Sequence, residues 1–316
     1  MINPKISICC LCYNHSQYIS QTFESFLVQK GNFEIEIVVF DDCSTDNSRE
    51  IIMMYKKKYP EKFNLIFPEK NTYKQGKTAF FDIIKNAKGE YVAFCEGDDY
   101  WISETKLNKQ LEFIKKNPDI NLVFHPALTL YDNGKIENNG YGEYRKKENH
   151  SFECILNESG AYMPMASIFA RRSLYIKWFE RFPKFFSENT WHSTIQILGA
   201  YKNGAGYLPE TLSVYRSMHE GSWSYNICRS SIAAIKDFES FCIRNRKLNE
   251  ITNYEYNNIF NQVLLDRTFK LAKRKNIKMS EKMIQFRGIP YKFSIFNTVK
   301  FTLLCMLRKI ENYVSK

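Results

Sequence analysis

Three carboxylates fall within four residues in the run Cys95-Glu96-Gly97-Asp98-Asp99-Tyr100-Trp101. Charges this close repel one another, so a loop that holds them at a sheet end needs a compensating cation. A hard divalent ion, Mn2+ or Mg2+, bound through one or two carboxylates and the phosphates of a substrate, would supply it. Gly97 permits a close backbone approach inside the run. Taken alone, the turn is better read as a solvated loop whose Asp side chains cap the next helix. It does not stand alone. A second acidic turn runs from Asp41 through Asp42 to Asp46, and the pair Tyr13-Asn14 ends another apolar segment. Together these offer a ring to stack a base, carboxylates for base or ribose hydroxyls, and carboxylates for metal and pyrophosphate. Each residue has an ordinary structural use, Tyr13 in a core and Asp42 in a turn. Their grouping is what suggests chemistry.

The elements around these residues must do the grouping. Lys5–Cys12 reads as a buried strand and Gln17–Gln29 as a helix with Ile19, Phe23, Phe26 and Leu27 on its apolar face. Glu34–Phe40 is a second strand, followed by a helix over Ser48–Tyr59 for which Asp46 is a fitting N-cap. Phe63–Phe67 reads as a strand, Gly76–Ala87 as a helix and Tyr91–Cys95 as a fourth strand. Strands alternating with helices of this length imply parallel pairing in an open α/β sheet. Ligands of such sheets bind beyond the carboxyl ends of the strands, where all three turns fall. Further on, Glu104–Lys116 reads as a helix, Leu122–Tyr131 as one strand, and Asp132–His150 as a polar excursion. Short strands are expected at Ser167–Ala170 and Leu212–Tyr215, with a helix over about Trp191–Tyr201. From Tyr225 onward the apolar spacing is helical: Ile227, Ala234, Phe238 and Phe241 share one face, and Phe260, Val263, Leu264, Arg267 and Leu271 another.

The chain has 316 residues with net charge +11, and the charge is uneven. Residues 225–316 hold 18 Lys and Arg against 7 Asp and Glu, which accounts for the whole excess. This asymmetry calls for an anionic partner for the C-terminal part. Nine cysteines, an odd number on apolar segments without a signal peptide, read as reduced core thiols in the cytoplasm. Zinc-finger spacing is absent, as is any apolar run long enough to span a bilayer. No Gly-x-Gly-x-x-Gly follows the first strand, which argues against a dinucleotide oxidoreductase. Nor is there a Gly-rich, basic loop of the kind a nucleotidyltransferase would carry at that place.

The run "SICCLCYNHSQYISQTFESFLVQ", then "EIVVFDDCSTDNSREII" and "KGEYVAFCEGDDYW", resembles the family 2 glycosyltransferases. The likeness continues through "SIFARR" and "GYLPETLSVYRSMHEGS" and covers residues 4–224. It implies a GT-A fold, an open mixed sheet with helices on both faces, over residues 1–224, followed by a basic α-helical region over 225–316. It also implies an inverting transfer from a nucleotide-diphosphate sugar, with UDP favoured, to a glycan or lipid-linked glycan acceptor. Surface polysaccharide or lipopolysaccharide assembly is the expected setting. On the same resemblance, Tyr13, Asn14, Asp42, Lys77, Asp98 and Arg216 would contact the nucleotide, and Glu96, Asp98, Asp99 and His219 the metal. Glu96 stands where the family's Asp-x-Asp pattern has its first Asp, so the carboxylate is kept.

The base departs further. The family places an Asp at the start of the helix before the Gly-Tyr strand. Counting back from Gly206-Tyr207 puts His192 there, with Glu188 just upstream. A histidine, largely neutral at pH 7, can take an acceptor proton. A protein of this fold that binds sugar nucleotides with weakened or no catalysis is the alternative. No Gln-x-x-Arg-Trp motif is present, which argues against a processive synthase. Within residues 289–316, Ile295, Val299, Leu303, Met306, Ile310 and Val314 recur at helical spacing among Lys and Arg. This stretch suits either an anionic membrane surface, on the inner face of the plasma membrane, or docking on the protein's own core or a second subunit. Nucleic acid is not expected, because the aromatics lie on helical apolar faces rather than between the basic residues.

Overall fold

A computed structural model describes residues 4–75, 77, 79–138, 149–158, 162–219 and 222–273. The chain opens on strand β1 (Lys5–Cys12), then helix α1 (Ile19–Leu27), β2 (Glu34–Asp41), α2 (Ser48–Lys58) and β3 (Phe63–Ile66). There follow α3 (Phe80–Asn86), β4 (Tyr91–Phe94), β5 (Tyr100–Trp101), α4 (Lys106–Lys116), β6 (Leu122–Phe124) and β7 (Ala127–Tyr131). Next come β8 (Ile136–Glu137), β9 (Asn149–His150), α5 (Phe152–Asn157), β10 (Phe169–Arg171) and α6 (Arg172–Arg181). Helices α7 (Pro183–Asn189) and α8 (His192–Ala200) and strands β11 (Ala205–Tyr207) and β12 (Ser213–Ser217) complete the first of two compact units, Met1–Ser217.

The large sheet has the order β3-β2-β1-β4-β10-β6-β11-β9. Strands β1, β2, β3 and β4 are parallel, and β10 enters antiparallel between β4 and β6. The order leaves β1 on one side through β2 and β3 and resumes on the other with β4, which makes β1 the switch point. Ile6, Ile8, Cys10, Ile37 and Val39 are buried, as are Cys9 and Val38 on the opposite face, because helices cover both sides of the sheet. Helix α1 contributes Ile19, Phe23 and Phe26, all fully buried at helical spacing. Each such side chain contributes roughly 1.5–3 kcal/mol relative to exposure.

The expected single strand over Leu122–Tyr131 is two strands in two sheets. β6 pairs with β10 and β11 in the large sheet, while β7 pairs with β12 and β8 in a second sheet of order β5-β12-β7-β8. The break falls at His125-Pro126, where proline offers no N–H to a ladder. The helix expected from Gly76 begins at Phe80, after a short 3-10 turn over Tyr73–Gln75. Helices α6 and α7 were not legible from spacing, although Pro183 at the first turn of α7 is a usual start signal.

Beside the carboxylate turn lies a buried lysine. Lys106 is fully buried, with Nζ 2.7 Å from Gln110 Oε1 and 4.0 Å from the centroid of the Trp101 ring. Burial lowers its pKa from 10.5 to about 7. Between those values the unfolded chain holds a proton that the folded chain has released, so stability rises with pH across that window. The slope is at most about 1.4 kcal/mol per pH unit. Lys106→Met is expected to flatten this rise, read from urea midpoints at pH 7, 8.5 and 10. An unchanged slope would mean that other groups set it.

The second unit spans Met218–Lys316 and contains α9 (Trp223–Arg229), α10 (Ser231–Ile251) and α11 (Asn257–Ala272). Ile227, Ala234, Phe238 and Phe241 are buried, and so are Phe260, Val263, Leu264 and Leu271, the positions of the two apolar faces read from spacing. Arg267 donates to Asp237 at 2.7 Å, which ties α11 to α10. The basic stretch 289–316 lies outside the described residues. Among the described residues no helix is long and apolar enough to cross a membrane.

Candidate active site

The three turns meet because β1 is bonded to both neighbours and its last carbonyls hold both acidic turns. Cys12 pairs with Asp41 and Cys9 with Phe94, so the strand ends lie side by side. The Asp42 N–H donates to the Cys12 carbonyl at 2.9 Å and the Gly97 N–H to the Leu11 carbonyl at 2.8 Å. A Cβ on Gly97 would lie 2.7 Å from Ile19 Cδ1 and 2.9 Å from His15 Nδ1, so a side chain here would have to displace both.

Tyr13, at the end of β1, is exposed, and Asn14 adopts a left-handed backbone with φ 56°. The Asn14 amide oxygen accepts from the Thr45 N–H at 2.7 Å, and its own N–H donates to Ser44 Oγ at 2.9 Å. Asn14 is therefore a brace between the β1 and β2 turns. Asp46 adds another. One carboxylate oxygen accepts from the Ser16 N–H and the other from the Ser48 N–H, each at 3.0 Å. Burial raises its pKa, but the hydrogen bonds from Ser48 and Ser16 outweigh that and hold it at about 2. Asn47 holds the N-cap position of α2 without a side-chain cap hydrogen bond, and Asp46, one residue further back than the cap, accepts from the Ser48 N–H in the first turn.

Of the carboxylates in the turn after β4, two are open and one is not. The side chains of Glu96 and Asp98 keep 29% and 15% of their exposure, whereas Asp99 is buried. Asp99 Oδ1 accepts the Arg216 N–H at 2.9 Å, which fastens the turn to β12. Burial, with Asp98 alongside, pushes the Asp99 carboxyl well above the usual range. The Arg216 guanidinium lies 4.6 Å from the Tyr18 ring and 4.8 Å from the Tyr100 ring, and donates to the Asp98 carbonyl and to Gln21 Oε1. It fixes the backbone of the turn and sets a positive charge beside it. The Thr22 hydroxyl reaches the carbonyls of Gly97 and Asp99 at 3.0 and 2.7 Å. His15, to which sequence reasoning gave no role, has Nε2 3.7 Å from Asp98 Oδ2. Its signal was its place two residues past Tyr13, at the same strand end.

His192 is the first residue of α8, and its Nε2 lies 3.3 Å from Glu96 Oε1 across 96 positions of chain. Its side chain keeps 40% of its exposure and meets the Phe80 ring edge-on at 5.2 Å. Glu188 is exposed on α7. Of the two candidate bases, His192 is the one brought to the carboxylate turn. Asp42 is turned toward the segment after β3. Its Oδ1 accepts the Thr72 N–H at 2.6 Å and the Thr72 hydroxyl at 3.0 Å, and its Oδ2 accepts the Tyr73 N–H at 3.1 Å. Lys77 is exposed just beyond, its N–H donated to the Thr72 carbonyl at 3.0 Å. His219 belongs to the second unit, where it is buried and its carbonyl accepts from the Ser222 N–H at 3.1 Å.

Among the described residues, no three His, Cys, Asp or Glu side chains converge tightly enough to hold a metal ion by themselves. Glu96 and Asp98 supply hard oxygen donors at the strand ends, which suits a Mg2+- or Mn2+-sized ion that takes its remaining ligands from phosphate and water.

The family model for glycosyl transferase family 2 matches residues 7–177, more than half of the chain. The protein belongs to this family. It is 29% identical over 218 residues to the uncharacterized protein Rv1520 of Mycobacterium tuberculosis, covering 69% of this chain and 60% of that one. The poly(ribitol-phosphate) beta-N-acetylglucosaminyltransferase TarS of Staphylococcus aureus is 32% identical over 121 residues, 38% of this chain and 20% of TarS. The chain thus spans about 60% of the length of the first curated relatives it matches. The solved structure of TarS 1-349 with UDP-GlcNAc superposes with a TM-score of 0.56 at 16% identity, over 99% of this chain and 92% of that one. The mannosyltransferase PcManGT from Pyrobaculum calidifontis, in complex with GDP-Man and Mn2+, gives 0.55 at 13% identity, over 99% and 88%. The fold of this family member is accordingly GT-A.

One ion pair behind the site has no signal in spacing. Asp41, fully buried, accepts from Arg49 Nη2 at 2.7 Å and from Nε at 2.9 Å. Removing one partner of a buried pair leaves the other charge uncompensated. Arg49→Met is expected to cost about 2–3 kcal/mol in denaturant unfolding, below the usual penalty because the Arg49 side chain is 38% exposed. A cost under about 0.5 kcal/mol would mean that water replaces the guanidinium.

Proposed function

We propose that the protein transfers a sugar from a nucleotide-diphosphate sugar, a UDP-sugar first of all, to a hydroxyl of a glycan or lipid-linked glycan. The transfer would invert the anomeric centre and serve the assembly of a bacterial surface polysaccharide. The observation that carries this reading is the approach of His192 Nε2 to Glu96 Oε1 at 3.3 Å, at the carboxyl ends of β1 and β4. It sets a proton acceptor beside the carboxylates that face a diphosphate in this scheme. The UDP-GlcNAc complex of TarS and the GDP-Man and Mn2+ complex of PcManGT support the donor class and the metal.

In this reading Tyr13 stacks the base, Asn14 and Asp46 hold the two turns in register, and Asp42 holds the segment after β3. Glu96 and Asp98 hold the divalent ion, and Asp99 and Arg216 keep the turn rigid. Bound there, the ion would supply Lewis-acid stabilisation of the departing diphosphate, worth several kcal/mol in the transition state. The acceptor oxygen bonds to the anomeric carbon while the bond from that carbon to the diphosphate oxygen breaks, the electron pair leaving with the diphosphate. His192 takes the acceptor proton, and Glu96 stabilises the imidazolium that results. The basic residues within 289–316 would suit a lipid-linked acceptor at an anionic membrane surface.

The test is calorimetric binding of UDP to the purified protein with and without Mn2+. Binding that needs the metal is expected. No binding of UDP, TDP or GDP under any metal condition would favour a carboxylate turn that is structural only.

A further inference from the structure

We propose that Tyr73 and Trp191 form an aromatic corner that receives the C–H face of a pyranose ring of the acceptor. The proposal rests on the transfer reading above. The Tyr73 and Trp191 rings meet at 6.0 Å between centroids with their planes 72° apart, two walls of a corner rather than a stack. Tyr73 is 54% exposed on a segment otherwise made of polar residues, so its ring face is open to a ligand.

The place of each wall is set by the site itself. The Asp42 carboxylate accepts from the Thr72 and Tyr73 N–H groups, so the end of β2 positions the Tyr73 backbone. Trp191 is the N-cap residue of α8 and directly precedes His192, whose Nε2 faces Glu96. One wall is therefore built on the turn beside the nucleotide and the other on the helix that carries the base.

A pyranose ring has an apolar face of C–H groups and a rim of hydroxyls. Laid on an aromatic wall, it buries the apolar face and keeps its rim directed to polar groups. His192 directly follows Trp191 in the chain, so a ring stacked at this corner presents its hydroxyl rim on the side of the base. The donor's nucleotide has its own aromatic, Tyr13, at the end of β1. The corner, attached to the base, fits the acceptor.

The test uses methyl glucoside and methyl N-acetylglucosaminide as probes, by saturation-transfer difference NMR, with UDP and Mn2+ present at saturation. In the wild type, the C–H protons of one ring face are expected to receive saturation. Tyr73→Ala and Trp191→Ala are each expected to weaken glycoside binding about threefold to tenfold, and Tyr73→Phe to preserve it. UDP affinity, measured by calorimetry on the same samples, is expected to stay within about twofold. Glycoside signals that are absent in the wild type, or undiminished in both alanine variants, would overturn the proposal. So would loss of UDP binding in step with glycoside binding, which would assign the corner to the nucleotide. A wild-type protein that binds the glycosides but no nucleotide would instead overturn the transfer reading.

Discussion

His192→Ala is expected to lower turnover about 10²–10⁴-fold while metal-dependent UDP binding persists. The loss follows from the one proton that must leave the acceptor oxygen as its bond to the anomeric carbon forms. His192 sits at the start of α8 with 40% of its side chain exposed, so alanine removes little packing beyond the edge of the Phe80 ring. Stability should change by less than about 1 kcal/mol. Glu188→Gln is the matched control. That carboxylate is exposed on α7, so turnover should stay near the wild-type value. Steady-state rates with a processed donor, alongside UDP calorimetry, separate the two. Near-native turnover in His192→Ala would end its assignment as the base, and a collapse in Glu188→Gln would move the role there.

Asp98→Asn and Glu96→Gln should each weaken UDP binding in Mn2+ by about 100-fold or more, because loss of even an outer-shell metal partner costs up to about that much, and leave the metal-free affinity little changed. Asp99→Asn should behave differently. The Asp99 carboxyl is buried, raised well above the usual range by burial and by Asp98, and spends Oδ1 on the Arg216 N–H. An amide oxygen can accept the same bond and, like the neutral acid that burial favours, carries no charge. UDP affinity should therefore stay within about threefold and thermal stability should hold or rise. Equal losses from Asp98→Asn and Asp99→Asn would show that all the carboxylates act as one cluster. Loss from Asp99→Asn alone would reverse the division between metal-facing and structural groups.

Much of the N-terminal half was legible because its signals are local. Residues 8–12, 37–40 and 91–94 are continuous apolar runs, as expected of strands covered on both faces, and α1 shows its buried Ile19, Phe23 and Phe26 at helical spacing. Alternation of strand and helix implies parallel pairing, and parallel pairing sends every strand end to one edge. The grouping of Tyr13, Asp42 and Glu96 at that edge thus followed from order and period. Where the local signal was divided, spacing failed. Leu122–Tyr131 reads as one apolar strand, and only the division of its two halves between separate sheets shows what Pro126 does.

Side-chain roles within the edge belong to tertiary structure. Nothing in Glu96-Gly97-Asp98-Asp99 says which carboxylate is buried; that depends on Arg216, 117 positions away, offering its N–H to Asp99. Asp42 reads as a ligand-facing turn residue, and only the structure shows that its oxygens also accept from Thr72 and Tyr73 of the segment after β3. His192 could be placed at the start of a helix by counting back from Gly206-Tyr207, but its approach to Glu96 depends on how α8 packs against the large sheet. Composition and period thus carried the strands, the helices and the edge at which the chemistry would lie. Pairings made over about a hundred residues of chain decided which groups face that edge, because hydrogen bonds and burial act through distance in space, and local spacing does not record it.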